Sequence, residues 1–134
     1  MAAVADLKYV GAEFKKSFEI VRAVYDFSVD AGAVGTLNLL SASGACIVKL
    51  LHAHVKTAVT SGGSLTADLG KSAGTDFWSN KAVAALTAGS LHAVDAIGGT
   101  AGVVLAEGDT VDLKIEVAAA TAGKVEFVFA VMAI

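Results

Sequence analysis

The chain has no proline, a single cysteine and no apolar run as long as the ~18 residues a membrane-spanning helix requires. One cysteine, Cys46, rules out an intrachain disulfide and a cysteine-based zinc site. Charge is also scarce, at 17% of residues, and the ten Lys and Arg form no block. With a net charge of −3, nucleic acid is not expected as a direct partner, because neutralising phosphates needs clustered cations. The opening MAAVADLKYVGAEFKK lacks the basic start and continuous apolar stretch of a secretory signal. The expectation is a soluble protein made in a cytoplasm, with no membrane partner.

What is abundant is apolar residues, at 55%, and glycine, at fourteen of 134. That length suits one domain with a substantial core, and the low charge implies further apolar surface that something else covers. The glycines cut the chain at short intervals into segments rich in Val, Ile, Leu, Thr and Phe. Regular turn signals between short apolar segments predict an all-β sandwich or barrel.

Strands are expected at 17–29, 36–40, 45–59 (one bent strand or two), 65–69, 91–95, 102–106, 110–117 and 124–134. The alternation is cleanest in TVDLKIEV, where Val111, Leu113, Ile115 and Val117 oppose Asp112, Lys114 and Glu116. KVEFVFAVMAI is apolar on both faces beyond its start, which predicts a central or covered strand. Eight strands are the number a jelly roll needs. DFWSNKAVAAL is the exception: Ser79 or Asn80 would cap a short helix through KAVAAL. Three Thr-Ala-Gly triplets, at 87–89, 100–102 and 121–123, read as repeated turn chemistry.

TSGGSLTADLGKS, residues 60–72, contains a Gly-Lys-Ser suggestive of a phosphate loop. A phosphate loop needs a glycine five residues before Gly70, and that position is Leu65. Ala-Gly-Thr then follows where a helix must start. The segment is therefore a hairpin connection, Ser61–Ser64, feeding the next strand. His52 and His54, two apart in a strand, share one face and would suit zinc with a third ligand, or would be plain surface or interface histidines. Cys46 has no nucleophile motif around it and reads as a small core residue. Neither a catalytic site nor a cofactor is expected.

Phe77-Trp78 is the notable aromatic pair, either a loop anchor into a core or interface, or a sugar platform. The first sixteen residues carry Leu7, Tyr9, Val10 and Phe14 among lysines and small residues, and read as an arm preceding a sandwich domain at 17–134.

AVTSGGSLTADLG (58–70), DFWSNKAVAALTAGS (76–90) and VLAEGDTVDLKIEVAAATAGKVEFVFAV (104–131) follow one another in an order that resembles the small capsid decoration, or cement, proteins of tailed bacteriophages. The resemblance covers residues 45–134. It implies a jelly-roll-like antiparallel β-sandwich of about eight strands with one short helix, a homotrimer, and a structural, non-enzymatic role. The implied partner is the major capsid protein and the implied location is the outer surface of the virion. Leu7, Tyr9, Val10, Phe14, Phe77 and Trp78 would be the capsid or oligomer contacts. The rival reading is a head-fibre or tail-associated module that binds carbohydrate.

Overall fold

The computed structural model describes residues 5–7, 18–95 and 99–134. Its strands are β1 (Ala5–Leu7), β2 (Phe18–Asp26), β3 (Gly35–Ala42), β4 (Cys46–Ser61), β5 (Thr66–Lys71), β6 (Trp78–Ala82), β7 (Leu91–His92), β8 (Val103–Leu105), β9 (Thr110–Glu116) and β10 (Ala120–Ala133). One sheet has the order β1-β3-β9-β5-β6; the other runs β2-β10-β4-β7, with β8 also on β4. β7 and β8 pair with β4 in the same sense, at His54–Ala53 and at Val48–Cys46, so they are two pieces of one interrupted strand. Counted that way, β2-β10-β4-β7/β8 faces β3-β9-β5-β6, and the chain crosses between the sheets in the order of a jelly roll. β1 is an addition outside that eight-strand roll, and it is parallel to β3.

The core is the inner row of each sheet. Along β10, Val125, Phe127, Phe129 and Val131 point inward and are buried; along β9, Val111, Leu113 and Ile115 do the same. The aromatic side chains knit the layers together: Trp78 lies 5.5 Å from Phe127 between ring centroids, and Phe77 lies 6.2 Å from Phe129. The Trp78 indole N–H donates to the Ala93 carbonyl at 3.0 Å, so its one polar group is not stranded by burial.

The excursion between β7 and β8 closes one side of the sandwich. Asp95 N–H donates to Phe77 O at 2.9 Å and Thr100 N–H to Asp76 O at 2.7 Å, carrying this segment from one sheet to the other. The Asp95 carboxylate accepts from Ser79 N–H at 2.9 Å and takes the Lys81 ammonium, which also lies over the Trp78 ring. Both charged side chains are largely shielded, at 18% and 17% exposure, so this clasp is screened far less than a surface pair.

Several local expectations change. The segment 78–82 is strand β6 and not a helix, because pairing Thr66 with Ala82 and Ala67 with Lys81 gives its backbone sheet partners. Helix propensity loses to those ladder bonds, and only a single 3-10 turn survives, at Val83–Ala85. Among the described residues the short α-helix lies elsewhere, at Phe27–Asp30, capped by the Asp26 carboxylate on Ser28 N–H. The region expected to hold one bent strand or two is the single strand β4, with the extra residue Leu51 bulged between Leu50 and His52.

The glycine pair after β4 is not a hairpin turn, since β4 and β5 belong to different sheets; it carries the chain across the sandwich. Thr121-Ala-Gly123 is a bulge inside β10 and not a turn. Gly123 has φ 145°, and a Cβ there would come within 2.8 Å of the Val59 side chain.

Replacing Asp95 by Ala should leave Lys81 without its partner and Ser79 N–H without an acceptor. A loss of about 1.5–3 kcal/mol in unfolding free energy is expected, the range for hydrogen bonds to charged groups. Urea denaturation of the variant beside the parent measures it, and an unchanged midpoint would remove the clasp from the stability argument.

Candidate interaction surface

The outer face of the β2-β10-β4-β8 sheet is read off its register. One row across the strands is Phe18, Met132, Ile47 and Val104, by position. The next is Ile20, Ala130 and Lys49, then Arg22, Val128 and His52, then Val24, Glu126, His54 and Leu91. The face is thus divided. One half is apolar: Ile20, Leu51, Val104 and Met132 are 48%, 45%, 56% and 36% exposed, around a shallow groove lined by Ile47, Lys49, Ala130 and Met132. The other half is polar, with Glu126 accepting from Arg22 at 2.9 Å and lying 3.9 Å from Lys56.

An antiparallel sheet with one solvated face ordinarily alternates apolar inside and polar outside. Here the rows through Met132 and Ala130 keep apolar residues on the outside, Lys49 excepted. The bulge adds to this, because inserting Leu51 keeps Leu50 in the core while putting a second leucine on the surface.

His52 and His54 do share this outer face, as their spacing predicts, with Val128 and Glu126 as cross-strand partners. Among the described residues, no three His, Cys, Asp or Glu side chains converge as a metal site. Cys46 is fully buried, and burial pushes its thiol upward, away from the reactive thiolate. His92 is held below its usual value by burial and by Lys81, and its ring meets Trp78 edge-on at 5.9 Å.

The opposite sheet has a polar outer face. Its carboxylates Asp68 and Asp112 are buried, at 6% and 4% exposure. Asp68 accepts from Asn80 N–H at 2.7 Å, and the hydrogen bond Glu116 makes with Asp68 pushes the Glu116 carboxyl upward. Asp112 accepts from Ala73 N–H at 2.8 Å and from the Thr110 hydroxyl at 3.1 Å, both through Oδ2. Its Oδ1 has no hydrogen-bond partner among the described residues, and burial pushes this carboxyl upward. Nearby, Gly70 is required: a Cβ would lie 2.5 Å from Asp76 N, where the 71–76 loop folds back over β5. Asp68 fastens the edge strand β6 to its sheet and Asp112 fastens the 71–76 loop; they do not line a cleft.

Of the residues expected to make contacts, Leu7 is in β1, while Tyr9, Val10 and Phe14 lie outside the described residues. Phe77 and Trp78 are 0% and 1% exposed, so they anchor the core and offer no side-chain surface to a partner or a sugar. The apolar outer face was missed from sequence because its residues are dispersed over four strands. The signals in the sequence were the low charge, which implied covered apolar surface without placing it, and KVEFVFAVMAI, which is apolar on both faces.

Because the folded-state value of Asp112 is raised, its contribution favours the fold below the ordinary carboxylate range and is lost as pH rises through the raised value. Asp112→Asn keeps an acceptor for Ala73 and Thr110 and removes the buried charge. It should gain about 1 kcal/mol at pH 7 and nothing near pH 3, in unfolding titrations at both values. A variant less stable than the parent at pH 7 would mean the charge itself is needed.

No family model matches the chain, and no curated protein matches it. Among solved structures it is similar to a chain of the "Cyanophage Pam1 capsid asymmetric unit", at 15% identity and a TM-score of 0.44, covering 96% of this chain and 93% of that one. A likeness at that score carries no argument about function.

Proposed function

We propose that this chain is a structural, non-enzymatic virion protein: a homotrimeric decoration protein that binds the outer surface of a phage capsid and stabilises it by bridging major capsid subunits. It would be made in the bacterial host cytoplasm. The observation that carries the reading is the apolar half of the outer β2-β10-β4-β8 face, with Ile20, Leu51, Val104 and Met132 exposed. Full burial of such a side chain from water is worth about 1.5–3 kcal/mol; these four are already about half covered, so each has roughly half of that left to gain from a partner. The order of turn and strand motifs over residues 45–134 supports the same class, and the jelly roll is compatible with it.

The mechanism is additive. Symmetry repeats each contact in every copy of a trimer, and contacts that are modest singly gain by avidity. Arm residues Leu7, Tyr9, Val10 and Phe14 belong to the same proposal, as capsid or oligomer contacts. No observation favours a carbohydrate platform, since Phe77 and Trp78 are both inside the core.

Co-sedimentation with heads of the phage that encodes the chain, stripped of it, is the test. The parent should bind, and an Ile47→Lys, Met132→Lys double variant should bind at least about tenfold more weakly, tenfold being about 1.4 kcal/mol. Circular dichroism checks that the variant keeps its fold. Equal binding by a folded variant would eliminate this face; a parent that does not bind would eliminate the capsid reading.

A further inference from the structure

A sandwich of two open sheets leaves four edges, and unguarded edges recruit other strands. Three edges here are guarded. β2 carries Glu19, Arg22 and Asp26. β7 and β8 are two and three residues long. β6 is five residues long, with Lys81 and with Asn80 at φ 51°, which bends the strand away from a regular ladder. β3 differs: GTLNLLSA is eight residues without a charge or a proline. Its outer edge is covered over Leu40–Ala42 by β1; among the described residues, Gly35–Leu39 pairs with no strand on that side.

β1 adds to this edge in parallel, with Ala5 opposite Leu40, Asp6 opposite Ser41 and Leu7 opposite Ala42. The seat and the sequence that fills it are therefore both visible. Ala42, where β1 ends, and Cys46, where β4 begins, are separated by three residues. Ile47 faces Met132, which faces Phe18 at the start of β2. So Leu7 and Phe18 lie at the same end of the sandwich, one on each sheet, and packed sheets are about 10 Å apart. Ten residues separate them in sequence, a chain that reaches roughly 33–36 Å when extended. That tether is about three times the gap, so β1 can be delivered to its own β3 or to that of an adjacent molecule.

We propose that β3 is the acceptor in a strand exchange, and that in the assembled protein Ala5–Leu7 of one copy adds to β3 of the next. The inference rests on the oligomeric part of the reading above and names the contact that holds the copies together. The backbone ladder is the same in either arrangement, so exchange sacrifices no pairing. It covers each unguarded edge with a neighbour's strand, and a head-to-tail contact of this kind closes into a ring when repeated by rotation. A three-residue pairing is weak singly; closure of the ring makes the contacts cooperative.

The test uses purified full-length protein and no phage heads, so its failure is separate from failure of the capsid reading. Two differently tagged chains are co-expressed, one carrying Asp6→Cys and the other Ser41→Cys; Cys46 is fully buried and stays in place. Mild oxidation should yield a disulfide-linked heterodimer on a non-reducing denaturing gel, in a yield unchanged by tenfold dilution. A chain carrying both substitutions should give linked multimers. Three results would each overturn the proposal: a doubly substituted chain that closes only on itself, a heterodimer yield that falls with dilution, or a monomeric mass in solution.

Discussion

The packing of the inner row of β10 against Phe77 and Trp78 is the contact on which the rest of the structure depends. β10 is paired on both sides, by β2 and by β4, so it is the centre of its sheet. Phe127 and Phe129 project from it towards the other layer, where Trp78 and Phe77 meet them. Aromatic side chains of this size supply much of the apolar area a small core can bury. They also set where the 71–76 loop and the β7–β8 excursion can lie, because Phe77 O and Asp76 O accept the backbone bonds that pull that excursion across.

With the inner rows committed to the core, the outer rows follow by alternation, and here the two sheets part ways. The β3-β9-β5-β6 layer turns polar residues outward and uses Asp68 to hold the backbone of β6 and Asp112 to tie down the 71–76 loop. The β2-β10-β4-β8 layer keeps apolar residues outward over one half. A solvated face would gain nothing from Ile20, Leu51, Val104 and Met132 together; a covered face would. Tyr25 illustrates how tightly the inner side is closed: burial, with Asp30 and Asp26 nearby, pushes its hydroxyl up to about 12, and it donates to Ala31 O at 3.1 Å.

Much of the architecture was legible because strands announce themselves locally. TVDLKIEV alternates with period two, and β9 buries Val111, Leu113 and Ile115 as that period requires; the strand stops at Glu116 because Val117 takes φ 71° in a tight turn. KVEFVFAVMAI, apolar on both sides, became the doubly paired β10 with an exposed apolar row. The failures were of one kind. KAVAAL has helix formers, yet its neighbourhood offered β5 as a ladder partner, and hydrogen bonds to a distant strand do not appear in a local window. Gly62-Gly63 and Thr121-Ala-Gly123 were recognisable as breaks in regular pairing, but whether a break turns back, crosses the sandwich or bulges depends on which strands lie alongside.

The sequence by itself determined an all-β sandwich or barrel of about eight strands, the position of most of them, and the absence of a phosphate-loop spacing around Gly70. Those follow from periodicity, turn residues and residue spacing, which are properties of the chain read in order. Only the tertiary structure decided the jelly-roll strand order, the burial of Phe77 and Trp78, the clasp at Asp95 and the apolar half-face. Each of these is set by strand register and by contacts between residues far apart in sequence. Ile20, Ile47, Val104 and Met132 become one surface only when four strands are laid side by side.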